Sequence, residues 1–144
     1  MGEYYQQMAD RFPSEKMFWL EAIGDEVDHA RRIGRLIADV SAKPAKYSPG
    51  KYRVQLMETF LTGIYEQIEM IINKEMAPAQ MLKTVMDYES SLLMSKPYDV
   101  VESTDSEFRD FKETFAQDIK VHSDRIRQYI RGKFGLPNKI TQTA

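Results

Sequence analysis

Phe108, Phe111, Phe115, Ile119, Ile126 and Tyr129 recur at intervals of three, four or seven positions. An α-helix turns that spacing into one stripe, whereas a β-strand would scatter it over both faces. The same period runs through most of the chain, so the apolar residues can leave water together only if the chain is helical. Breakers are few, with seven Gly and six Pro among 144 residues. They divide the sequence into five helical segments, at about 2–12, 14–40, 51–74, 77–95 and 104–132. No linker or low-complexity tract separates these segments, so residues 1–144 read as a single all-α domain.

Local punctuation suggests how the segments connect. Pro13-Ser14 leaves room only for a tight turn, which makes the first two segments antiparallel neighbours and places Ser14 to cap the second. Ser41 to Gly50, with two prolines, is the clearest loop. Pro78 suits a first helical turn, Thr104 and Glu107 have the spacing of a capping box, and Gly132, Gly135 and Pro137 stop the last segment. The third segment carries its own seam of Met57, Leu61, Ile64, Ile68 and Ile71, as a crossover helix between two helix pairs would.

Composition removes several kinds of chemistry. The chain has no Cys, which excludes disulfides, thiolate zinc sites, iron-sulfur clusters and rubredoxin-type centres. Only His29 and His122 offer imidazole, and no haem is expected. Twenty basic against 22 acidic side chains give no field that favours nucleic acid. Arg125, Arg127, Arg131 and Lys133 are read as complementing the dipole of the last helix. No apolar run approaches the ~18 residues of a membrane span, and the opening residues lack the pattern of a signal peptide, so no membrane partner and a cytoplasmic location are expected. The nine methionines fall mostly on helical seams and read as adaptable core.

Against this background a few polar residues stand out. In the second segment Glu21, Asp25, Asp28, Arg32, Arg35 and Asp39 form a charged stripe expected to face water. Two other faces are apolar: Trp19, Ile23, Ala30, Ile33 and Ile37 on one, Ala22, His29, Ile33 and Leu36 on the next. Both contain Glu26. A carboxylate among core positions costs several kcal/mol unless it is paired, protonated or bound to a metal. Glu26 and His29 have the E-x-x-H spacing that sets a carboxylate and an imidazole one turn apart on one face. Glu89 interrupts the apolar rows Leu82, Val85, Leu92 and Leu82, Met86, Leu93, and His122 takes a place in the stripe of the last segment. Three helices thus aim metal-competent groups inward. Two readings follow: a metal site built from Glu26, His29, Glu89 and His122, or a polar cluster satisfied within the protein, for instance by a tyrosine.

These residues, with the aromatic run Tyr4-Tyr5-Gln-Gln-Met-Ala-Asp-Arg-Phe ahead of Asp25-Glu-Val-Asp-His-Ala, and Tyr88-Glu-Ser-Ser-Leu-Leu ahead of His122, resemble the rubrerythrin-like branch of the ferritin-like superfamily. The resemblance implies an antiparallel four-helix bundle with a short first helix and an extra helix in the long crossover. It also implies a di-metal site with a Glu on each of two helices and E-x-x-H on the other two. Glu26 and His29 match the first E-x-x-H, Glu89 the single Glu of the third bundle helix, and His122 the last histidine. Ile119 stands where the second E-x-x-H needs its Glu, and Met1 occupies the first-helix slot, with Glu3 half a turn away. Two divalent ions against two carboxylates would bury excess charge, whereas one is neutralised. One Fe, Mn or Zn ion is therefore expected, with weak activity toward oxygen or peroxide and an external electron donor; the alternative is a non-catalytic scaffold whose site has decayed. Asp118 could approach the site, and Tyr4, Tyr5 and Phe12, on a short helix, could form a homodimer interface.

Overall fold

The computed structural model describes residues 1–51 and 53–135. Among the described residues there are five α-helices: α1 (Gly2–Arg11), α2 (Lys16–Ala42), α3 (Val54–Ile72), α4 (Pro78–Ser95) and α5 (Ser106–Phe134). The all-α expectation holds, with one small addition. Strands β1 (Ser48–Pro49) and β2 (Val101–Glu102) pair antiparallel, Ser48 opposite Glu102 and Pro49 opposite Val101.

The caps differ from those expected. Pro13–Glu15 form a 3-10 turn, and Ser14 lies within it without bonding the start of α2. At α5 the cap is Asp105, whose Oδ1 accepts from the Glu107 N–H at 2.9 Å, so the Thr104 capping box is not used. Aspartate one position later satisfies the same free amide and also receives Lys46 Nζ at 2.7 Å. Helix α5 continues through Gly132 and ends at Gly135, which takes the left-handed conformation at φ 63°. Pro137 lies outside the described residues.

Side-chain pairs set the helix directions. Glu15 meets Lys133, Phe18 stacks on Tyr129 with ring centres 3.5 Å apart, Asp25 meets Arg125, and Arg32 meets Asp118. Residues ascending α2 therefore meet residues descending α5, and the two helices are antiparallel. In the same way Tyr5 of α1 stacks on Trp19 at 5.9 Å while Gly2 lies against Glu26, so α1 folds back along α2. The core runs through this junction: Tyr4, Tyr5, Met8, Trp19, Ala22, Met81, Val85, Ile126 and Ile130 are essentially inaccessible. Burial of three large aromatic residues here, roughly 150–250 Å² apiece, ties the short α1 to the rest.

Three expectations about faces need correction. Tyr4 and Tyr5 are wholly interior, their hydroxyls bonded to the Met81 carbonyl and to Glu89, so neither can line a dimer interface. Helix α3 buries only Ile64 and Ile68 of its five-residue seam, leaving Leu61 44% exposed. The charged stripe of α2 is only partly wet: Asp25, Arg32 and Asp39 are half-buried. Arg32 lies over the Phe111 and Phe115 rings and bonds Asp118 and Thr114, which holds Asp118 in a surface ion pair. Conversely Ala30 and Ile37 of the expected apolar face are exposed.

Candidate metal centre

Glu26 from α2, Glu89 from α4 and His122 from α5 converge inside the protein, each offering one ligand atom within 4.8 Å of the others. Each arrives by the helical period that carries its apolar neighbours inward, so the same burial that builds the core positions the polar groups. His122 Nε2 is 3.2 Å from Glu26 Oε1 and 3.8 Å from Glu89 Oε1. Two donors that share an ion at about 2.0–2.2 Å lie roughly 3.0–3.5 Å apart. The His122–Glu26 distance falls in that range and the His122–Glu89 distance lies just above it.

Two further side chains complete the cluster. The Tyr5 hydroxyl donates a short hydrogen bond to Glu89 Oε1 and lies 3.3 Å from His122 Nε2. Asp25 Oδ2 sits 2.8 Å from His122 Nδ1 and also accepts from Arg125 Nη2 at 2.5 Å. Asp25 thereby claims the Nδ1 proton and leaves Nε2 facing the two glutamates, the orientation that a metal-binding imidazole requires.

Burial drives the electrostatics of the cluster. It lifts the Tyr5 phenol well above its ordinary value, helped by the charges of Glu89 and Glu26, so the phenol stays a donor. Burial also raises Glu89, against the opposing pull of His122 and the Tyr5 bond. Burial alone would raise Glu26 too, but the bond to His122 and neighbouring positive charge outweigh it, and its net position is below the usual carboxylate range. His122 moves up despite its burial, because Glu26, Glu89 and Asp25 all favour its protonated form. His29 moves down, chiefly by desolvation.

The four expected site residues are thus not equivalent. Glu26, Glu89 and His122 meet; His29 flanks them, its Nδ1 4.0 Å from Glu26 Oε1 and its ring edge-on to His122 at 5.4 Å. Ile119 is buried beside the site. Met1 lines a recess next to Glu26, while Glu3 is exposed. A cavity of about 390 Å³ opens over the cluster and is lined by all four of these residues and by apolar side chains from α2, α3, α4 and α5.

Tyr5 and Asp25 are the participants that sequence reasoning missed. A signal for Asp25 exists: Asp25 and Arg32 are seven apart on α2, Asp118 and Arg125 seven apart on α5. Antiparallel packing turns that repeat into two crossed ion pairs, both of which form. No family model, curated protein or solved structure matches this chain.

Proposed function

We propose that this chain is a rubrerythrin-like, ferritin-like helical protein that holds one non-haem ion, Fe, Mn or Zn, on Glu26, Glu89 and His122, with His29 close enough to join by a rotamer change. The observation that carries this reading is the meeting of two carboxylates and an imidazole from three helices within 4.8 Å. One divalent ion balances Glu26 and Glu89, and oxygen with imidazole donors suit all three metals. Bound Fe or Mn would supply electron transfer toward oxygen or peroxide, drawing on an external donor. The chain's own residues orient His122 through Asp25, hold Glu89 through the Tyr5 hydroxyl and keep bulk water from Glu89, which is 1% exposed.

Metal content after purification without chelator, followed by calorimetric titration of Zn(II) and Mn(II), tests the reading. About one ion per chain is expected, lost in Glu26→Ala and His122→Ala. No metal above background and no saturable binding would overturn it.

A second reading has its own support. Glu89 is bonded by Tyr5, and His122 lies between Asp25 and Glu26, so the cluster can be satisfied by protein groups alone. With Ile119 and Met1 in ligand slots, that is what a scaffold with a decayed site would contain. The same titration separates the two: the scaffold binds no ion, and Glu26→Ala changes only its stability.

A further inference from the structure

The cavity over the cluster supports an inference about what the site receives, and this inference rests on the metal reading above. Its volume is about 390 Å³, whereas an apolar cavity of roughly 150 Å³ is enough to hold benzene. An aromatic ring and a short chain fit together in the larger space. Its lining joins the polar group Glu26, His29, Glu89 and His122 to apolar side chains that include Leu92, Phe115 and Ile119. A lining of that kind matches a ligand with an apolar body and one polar head.

The coordination chemistry of the occupied site selects the head. An ion on Glu26 and Glu89 is already neutralised, and three protein donors leave a coordination position for an added ligand, as in zinc sites that accept one. All three donors line the cavity, so a ligand that reached an ion held by them would come from that side. An ammonium head has no lone pair to give the ion, whereas a carboxylate coordinates directly. We propose that the cavity binds a small carboxylic acid with an aryl or alkyl body, its carboxylate on the metal ion and its body against Leu92, Phe115 and Ile119.

The test uses the full chain, Zn(II) and phenylbutyrate, with phenylbutylamine as the oppositely charged control. Zinc is titrated first, then each organic probe into zinc-loaded and metal-free protein. Phenylbutyrate is expected to bind the zinc-loaded form at least about tenfold more tightly than the metal-free form, and more tightly than the amine. Ile119→Trp, which fills the cavity, should keep zinc binding and weaken phenylbutyrate by at least about tenfold. Leu92→Phe serves the same purpose from another helix if the first variant loses its helical circular dichroism. Zinc binding without phenylbutyrate binding, or phenylbutyrate binding that neither filled variant weakens, overturns the cavity proposal and leaves the metal reading standing. Absence of zinc binding defeats the metal reading; phenylbutylamine then binding best would show that the bare carboxylates select a cation, and would overturn the choice of a carboxylate head.

Discussion

At the scale of single residues, Tyr5 is the most exacting test of the cluster. Its hydroxyl is the donor that holds Glu89, a carboxylate with almost no exposure. Tyr5→Phe leaves that acceptor short of a partner, and metal-free protein should lose about 1–3 kcal/mol of stability, read from urea unfolding. Saturating zinc should shrink the loss, because the ion then takes over the carboxylate. The two imidazoles should separate in an NMR titration of metal-free protein. His122 should titrate above the ordinary value of 6.5 and His29 below it. The raised group stabilises the fold fully below pH 6.5, and that contribution is lost as the pH climbs through its folded value. The lowered group acts oppositely, its contribution complete above 6.5 and lost as the pH falls toward its folded value. Identical titrations would mean that the carboxylates do not contact His122 in solution. Glu26, His29, Glu89 and His122 were legible in the sequence because each interrupts an apolar row. Asp25 was not, since hydrophobic periodicity leaves a charged residue facing a neighbouring helix indistinguishable from one facing water. Tyr5 was misplaced because a short first helix was expected to leave it partly exposed, whereas α1 buries Tyr4, Tyr5, Met8 and Ala9.

Among the elements, the helices follow the periodicity closely and the connections do not. Ser41 to Gly50 read simply as loop, yet it holds the end of α2, a 3-10 turn at Pro44–Lys46 and strand β1. Nothing local announces a two-residue strand, because its partner at Val101–Glu102 lies some fifty residues on. Gly50 is the fixed point of this clasp. Its N–H donates to the Val100 carbonyl at 2.9 Å, and a Cβ there would stand 2.0 Å from the Asp99 carbonyl oxygen. Backbone cannot yield as a side-chain tip does, so Gly50→Ala should force the strands apart at about 1–3 kcal/mol. Chemical denaturation measures that loss, and amide exchange at Val101 and Glu102 should quicken in step. Gly24→Ala, where an added Cβ meets nothing within 4 Å, is the matched control and should not destabilise.

For the molecule as a whole, an ion held by three helices, as proposed, would act as a bolt through the packed interior. Binding to the native state alone raises stability by about 2.7 kcal/mol at a hundredfold excess over Kd. Zinc should therefore lift the thermal midpoint and a chelator return it, while Glu26→Ala should show neither response. No helix among the described residues is long and apolar enough to cross a membrane. The clasp has a consequence of its own. Pro97, Tyr98 and Val100, just ahead of β2, line the cavity. Joining residues so distant in sequence carries a loop-closure penalty, so this joint, held by two residue pairs of the strands, the Gly50–Val100 bond and the Lys46–Asp105 pair, should open before the helices do. On the proposed reading, a guest would reach the interior by the opening of that joint, while the helices that carry the carboxylates and imidazole stay in place.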